Sequence, residues 1–111
     1  MKQRILFIIN PISGTRKKLK QKLPDLIRDE LDPAKFDFAI KYTESAGHAR
    51  QLAADAVTQG FNIVAVAGGD GSVNEVASAL AGSEVAMAIL PLGSGNGLAH
   101  ALHYPLDIRK T

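Results

Sequence analysis

The 111-residue sequence contains no cysteine. This absence excludes disulfide bonds, thiolate metal sites and cysteine nucleophiles, so a reducing compartment such as the cytoplasm is the simpler setting. The sequence also lacks a long apolar run. Residues 5–9 are apolar, but Asn10-Pro11 ends that stretch far short of a signal-peptide core or a membrane span. We therefore interpret residues 5–9 as a buried strand.

The sequence also lacks a large excess of positive or negative residues, with 13 lysines and arginines against 11 aspartates and glutamates. The formal net charge of +2 is too small to indicate a nucleic acid as a partner. The three histidines, His48, His100 and His103, are scattered rather than spaced as zinc ligands. We assign them no chemistry and assign no metal ligand in this chain. The length suits one small folded domain.

Apolar runs alternate with helical patterns along the chain. Strands are predicted at residues 5–9, 36–43, 63–67 and 85–90, and helices at residues 16–31, 49–57, 73–80 and around 98–102. Pro24 either kinks the first helix or marks its first turn. The second strand has large apolar residues two apart, which favours a position near a sheet edge. The alternation predicts an α/β fold with a mainly parallel sheet of βα units.

Two glycine-bearing segments follow the third and fourth predicted strands, at residues 68–75 and 92–97. Glycine has no Cβ, so the backbone can take positive φ and approach a ligand, while free amides at a helix start favour an anion. Ligands of parallel α/β sheets bind beyond the carboxyl ends of the strands, where Asn10, Ser13 and Thr43 also fall. Two adjacent glycine turns predict a site for a polyphosphate, with ATP as the first candidate.

Neither glycine segment matches a standard phosphate motif. Both lack lysine, which excludes a Walker A loop, and Asn74 replaces the third glycine of a dinucleotide fingerprint. Backbone amides and a divalent metal would therefore have to offset the phosphate charge. Residues 16–18 are basic and either assist the phosphates or form a solvated helix face.

Asp70 is the unusual residue of the first glycine segment. Its carboxylate either caps the following helix or acts at the nucleotide, through Mg²⁺ or on the accepting hydroxyl. The sequence does not distinguish a metal ligand from a general base. Ser72, Asn74, Ser94 and Asn96 are residue types that suit phosphate binding and capping or turning equally well, and their positions rather than their types favour binding.

The motifs together cover nearly the whole chain and occur in a specific order. They are Asn-Pro-Ile-Ser-Gly at residues 10–14, Thr43 with Gly-His-Ala at residues 47–49, Gly-Gly-Asp-Gly-Ser-Val-Asn-Glu-Val at residues 68–76, and Pro-Leu-Gly-Ser-Gly-Asn at residues 91–96. In these motifs the chain resembles the catalytic domain of the diacylglycerol kinase family, which includes bacterial lipid kinases and sphingosine kinases.

The resemblance implies a Rossmann-like, NAD-kinase-like N-terminal domain that binds ATP with Mg²⁺ and transfers the γ-phosphate to a lipid hydroxyl. It also implies Asp70 as a catalytic candidate. The nucleotide contacts that it implies are Asn10, Ser13, Thr43, Gly68, Gly69, Asp70, Gly71, Ser72, Val73, Asn74 and Ser94.

Two departures from the family pattern leave the acceptor open between a diacylglycerol-like and a sphingoid lipid. Ser72 stands where threonine is common, and residues 94–97 are closer to sphingosine-kinase versions. The resemblance also implies a second, β-rich domain, which in bacterial members supplies Mg²⁺ ligands and a catalytic acidic residue. We therefore expect residues 1–111 to be a nucleotide-binding fragment, inactive alone, with peripheral membrane contact and a tendency to self-associate.

Two functions from other classes remain open at this point. One is a dinucleotide-binding oxidoreductase module, and the other is a non-catalytic nucleotide-binding domain. NAD kinases use a similar Gly-Gly-Asp-Gly segment, but the motif at residues 10–14 and the Gly-Ser-Gly-Asn turn point away from them.

Overall fold

A computed structural model of the chain describes residues 2–11, 17–90 and 108–110, with side chains for residues 2–11 and 21–90. Its elements in chain order are β1 (Gln3–Ile9), α1 (Lys17–Glu30), β2 (Phe36–Tyr42), α2 (His48–Thr58), β3 (Ile63–Ala67), α3 (Asp70–Leu80), β4 (Ala86–Ile89) and β5 (Ile108–Lys110). The strands form one sheet in the order β2-β1-β3-β4-β5. All neighbouring pairs are parallel except β4 and β5. The predicted α/β fold with a mainly parallel sheet is confirmed.

One face of the sheet packs against α1. In β1 the odd-numbered residues, such as Phe7 and Ile9, face Leu23 and Ile27 of that helix. These side chains are almost completely buried. Their burial keeps α1 helical through Pro24, which lies in the helix interior although it removes one backbone hydrogen bond. The alternative that Pro24 marks the first turn is therefore wrong.

The opposite face packs against α2 and α3. The even-numbered residues of β1, such as Ile8, meet Ala53 of α2 and Val76 and Leu80 of α3. Small alanines on α2 let the helix approach the sheet closely, since Ala49, Ala53 and Ala56 are all buried. Helices on both faces explain why the central strands read as continuous apolar runs.

Three predictions about the elements have clear outcomes. The second strand lies at one end of the strand order, so its edge position is confirmed. The helix predicted from residue 73 begins earlier, at Asp70, and the segment predicted as a loop forms its first turn. Strand β5 was not predicted, because it is three residues long and is defined by pairing with β4 rather than by an apolar run. The helix predicted around residues 98–102 lies outside the described residues.

The strand order creates a crevice beside β1. From β1 the chain passes to β2 on one side, and the next strand, β3, lies on the other side. Such a switch point is where open α/β sheets bind ligands. The backbone N–H of Asn10 donates to Ala67 O at 2.9 Å, and that of Thr43 donates to Ile9 O at 2.9 Å. The residues that follow β1, β2 and β3 are thereby held at one edge of the sheet.

Candidate functional site

A cleft of about 300 Å³ lies beyond the carboxyl ends of β1 and β2, between the starts of α2 and α3. Its described lining consists of Asn10, Thr43, Glu44, Ser45, Ala46, Ala49, Gly71, Ser72 and Glu75. The volume is at the lower end of the range of roughly 300–1,000 Å³ for small-molecule pockets. The ends of the first two strands, at Asn10 and Thr43, therefore border a cleft.

The start of α3 offers backbone donors to this region. Val73 N–H donates to Gly69 O at 3.1 Å, and this is the first bond within the helix. The amides of Asp70, Gly71 and Ser72 precede it and find no acceptor inside the helix. Gly69, at the N-cap, supplies no side-chain hydrogen bond. Together with the helix dipole, these amides favour an anion.

Asp70 is the first residue of α3 and not its N-cap, so the capping interpretation of its carboxylate is wrong. The helix follows Gly69, whose φ of −82° and ψ of −174° are those of an extended residue. The Asp70 side chain is exposed in the first turn, where a carboxylate interacts favourably with the helix dipole. This placement leaves it accessible to solvent and ligand.

Three neighbouring glycines at this start have different roles. A Cβ built on Gly68 would lie 2.9 Å from both Cβ and Oγ of Ser72, so close packing requires glycine there. Gly69 and Gly71 have no atom within 4 Å of a built Cβ and face open space. None of these three glycines uses the freedom of glycine to take a positive φ. Among the described glycines, positive φ occurs at Gly47, Gly60 and Gly82.

The start of α2 is arranged differently. Gly47, its N-cap, has a φ of +85° and a ψ of −13°. The Glu75 carboxylate reaches across from α3 and accepts hydrogen bonds from Gly47 N–H and Arg50 N–H, each at 3.3 Å. His48 Nδ1 accepts from Glu44 N–H at 2.9 Å. The start of α2 is therefore occupied by carboxylate, and the preceding turn is tied to the helix.

The structure brings together only part of the predicted site. Asn10, Thr43, Gly71 and Ser72 line the cleft, and Gly68 packs directly against Ser72. The other predicted residues of α3 and its start, namely Gly69, Asp70, Val73 and Asn74, are not in the described lining. Ser13 and Ser94 lie outside the described residues, as does the second glycine segment.

Val73 illustrates the difference between the two groups. Its side chain packs against the apolar cluster under α2 and α3, and its amide is already used within the helix. Asn74 is exposed on α3.

Glu75 is the residue that sequence reasoning missed. It lies four positions after Gly71 and three after Ser72, so the three residues share one face of α3. That spacing was visible in the sequence and could have identified it.

The described lining carries negative rather than positive side-chain charge. Glu44 and Glu75 belong to it, and no lysine or arginine does. Within residues 2–11, 17–90 and 108–110, no three histidine or acidic side chains converge on a metal position. An anionic ligand would therefore depend here on the amides of α3 and on a cation that arrives with it. In the same part of the chain, no helix combines the length and apolar character needed to span a bilayer.

An open, mainly parallel α/β sheet with a cleft at its switch point is the architecture of many ligand-binding α/β domains. The chain belongs to the diacylglycerol kinase catalytic domain family, whose model matches residues 4–111.

Relatives of known sequence carry the same family name. A diacylglycerol kinase of Staphylococcus saprophyticus is 36% identical over 110 residues, which cover 97% of this chain and 35% of the relative. A diacylglycerol kinase of Staphylococcus aureus is 34% identical, covering 97% of this chain and 34% of the relative. The chain thus spans about a third of the length of these curated relatives.

Solved structures agree with the fold. A crystal structure of a diacylglycerol kinase from Bacillus anthracis Sterne is similar with a TM-score of 0.64 and 26% identity, covering 91% of this chain and 40% of that one. A second structure from the same strain has a TM-score of 0.67 at 26% identity, with the same coverage of both chains.

Proposed function

We propose that this chain is the ATP-binding lobe of a lipid kinase, which transfers the ATP γ-phosphate to a lipid hydroxyl. The observation that carries the proposal is the start of α3 at the switch-point cleft, where three amides lack helical acceptors and the N-cap residue Gly69 supplies no side-chain hydrogen bond. Family membership supplies the reaction class. Phosphoryl transfer depends mainly on positioning and on electrostatic stabilisation, both of which such an arrangement can provide.

The phosphates would lie against the start of α3. The open space over Gly69 and Gly71 admits close approach of a ligand to the backbone, which any larger residue would restrict. Ser72, Asn10 and Thr43 would contact the nucleotide from the cleft. Ser13 and Ser94 belong to the same proposal through the family motifs.

Mg²⁺ fits the residues present when it is taken as the ion that accompanies ATP. Mg²⁺ is commonly bound by one or two carboxylates together with substrate phosphates, and Asp70 offers one exposed carboxylate beside the proposed phosphate position. Bound there, the ion would neutralise phosphate charge that no basic residue of the described lining offsets. Asp70 would either hold the ion through solvent or phosphate, or accept the proton of the lipid hydroxyl.

The acceptor, a diacylglycerol-like or a sphingoid lipid, would be bound by residues beyond those described. Because the chain spans about a third of its relatives, we propose that this chain alone does not complete the reaction. The lipid substrate implies peripheral contact with the cytoplasmic face of a membrane. Self-association through apolar surface is a further part of this proposal, and a sedimentation measurement tests it.

A binding and transfer experiment on the longest natural form of the protein tests the function. Mg-ATP should bind saturably, and labelled γ-phosphate should appear on diacylglycerol or sphingosine presented in mixed micelles. NADH serves as the competing ligand and NAD as the competing acceptor. Tighter binding of NADH than of ATP would favour an oxidoreductase module, phosphorylation of NAD would indicate an NAD kinase, and ATP binding without any transfer would indicate a non-catalytic domain.

A further inference from the structure

We propose that Glu75 is a positioning residue that ties the start of α2 to α3. It thereby fixes the position of one wall of the nucleotide cleft. This inference rests on the proposed function, because it assigns the wall to nucleotide binding. The wall consists of residues 43–46, which line the cleft directly before α2 begins.

The tie uses both oxygens of one carboxylate. Oε2 accepts from Gly47 N–H and Oε1 accepts from Arg50 N–H, each at 3.3 Å. These amides belong to the N-cap and to the third helical residue of α2, which are groups that a capping side chain normally satisfies. Gly47 has no side chain to do so. Glu75 therefore caps α2 from a neighbouring helix, 28 and 25 residues away in the sequence.

The environment makes this carboxylate a structural anchor. Its negative charge lies at the positive end of the α2 dipole, which is where a carboxylate interacts favourably with a helix. The side chain is half-buried, while both hydrogen bonds lie in exposed positions. Each oxygen already serves one amide. The geometry is that of a clamp between two helices.

The clamp controls the cleft because the wall has its other attachment on the sheet. Thr43 N–H donates to Ile9 O at 2.9 Å, which ties the beginning of the wall to β1. His48 Nδ1 accepts from Glu44 N–H, which holds the turn against α2. Glu75 joins the end of the wall to α3, the helix whose start would bind the phosphates. Loss of the clamp would let the two sides of the cleft separate.

Glu75→Gln is the main test, made in the longest natural form of the protein. Glutamine keeps the size of the side chain but loses the charge and one acceptor oxygen. We expect the dissociation constant of Mg-ATP and its KM to rise about tenfold, because charge-assisted hydrogen bonds are lost, while kcat falls by less. Glu84→Gln makes the same change at an exposed position after α3 and should bind Mg-ATP as the unsubstituted protein does.

Hydrogen exchange without nucleotide gives a readout that does not depend on activity. In Glu75→Gln the amides of residues 44–50 should exchange faster, while those of β3 keep their protection. Glu75→Asp retains the charge but is one methylene too short to reach both amides, so it should resemble Glu75→Gln in both measurements. If Glu75→Asp matched the unsubstituted protein, charge alone would account for the effect and the clamp would be refuted.

The remaining outcomes separate the clamp from the function. Unchanged hydrogen exchange of the amides of residues 44–50 in Glu75→Gln would overturn the inference. Faster exchange of these amides in Glu75→Gln together with an unaltered affinity for Mg-ATP would overturn it as well. If the unsubstituted protein did not bind Mg-ATP, the proposed function would be wrong and the assignment of the wall to nucleotide would fall with it. If it bound Mg-ATP and Glu75→Gln bound equally well, only the role of Glu75 would be wrong.

Discussion

The starts of α2 and α3 both follow a glycine, but they differ in what lies against their first amides. Both helices have 11 residues, begin after a glycine and open at the same edge of the sheet. At α2, the Glu75 carboxylate accepts from two of the first amides. At α3, Gly69 provides no cap and the space over Gly69 and Gly71 is open.

The two helix starts thus differ in whether a carboxylate of the protein accepts hydrogen bonds from the first amides. A helix start attracts negative charge wherever it occurs, so a carboxylate of the protein at one start leaves only the other for a negatively charged ligand. Glu75 would also repel phosphate from the start of α2. Under the proposed function, the phosphate tail would therefore lie at the start of α3, and the start of α2 would form a wall of the cleft.

The largest expected effect comes from placing a side chain over the start of α3, at Gly69. Gly69→Val places a branched side chain in the space over the phosphate position, so Mg-ATP affinity should fall by about 100-fold or more through the loss of several charge-assisted hydrogen bonds. The fold should survive, because the φ of −82° at Gly69 suits any residue. Calorimetry measures the affinity and circular dichroism the fold. Ala81→Val, at the exposed opposite end of α3, is the control and should bind normally.

Asp70 tests whether the open start takes part in chemistry as well as in binding. Asp70→Asn should lower turnover of lipid by about 100-fold in the longest natural form, as expected for a lost proton acceptor or metal contact. Nucleotide affinity should change much less. A steady-state assay that varies ATP and lipid separates kcat from KM. Unchanged turnover would show that Asp70 only interacts with the helix dipole and takes no part in the reaction.

Substitutions at Gly68 and Gly69 test whether the first glycine is closely packed while the second faces open space. Gly68→Ala should destabilise the fold by about 1–3 kcal/mol, because the new Cβ would overpack against Ser72. Gly69→Ala meets no atom within 4 Å and should leave the free energy of unfolding nearly unchanged. Urea unfolding of the two variants side by side measures the difference. Equal stabilities would contradict the assignment of Gly68 as the packed glycine.

The smallest expected effect is at the turn before α2. His48→Ala removes the acceptor for Glu44 N–H and should cost about 0.5–1.5 kcal/mol of stability, the usual net contribution of one hydrogen bond. Gln51→Ala on the same helix loses only an exposed contact with Asp55 and is the matched control. Thermal unfolding compares them. A loss no larger than in the control would show that His48 does not hold the wall.

Local patterns predicted most of the elements because their signals lie within one segment. The strand at residues 63–67 is predicted with the observed limits, since β-branched residues form a short apolar run there. The start of α3 was placed too late, because glycine and asparagine have weak helix propensity. Burial of Val76 and Leu80 against the sheet overrides that propensity and extends the helix back to Asp70.

Strand β5 was missed for a related reason, since it exists through backbone pairing with β4. The candidate site was predicted in part. Strand ends identified Asn10 and Thr43, because carboxyl ends of parallel strands meet at one edge. Side chains that cross between elements were not predictable in this way, and Glu75 is the main example.

The sequence by itself determined the α/β class, the positions of the first four strands and the family motifs, because periodicity and glycine segments are local properties of the chain. Tertiary structure alone decided that Gly68 is packed while Gly69 is open, and that the carboxylate of one helix closes the start of another. The physical reason is that these interactions join residues that are distant in the sequence. Close packing and hydrogen bonds between elements depend on distances that exist only after the sheet and its helices have assembled.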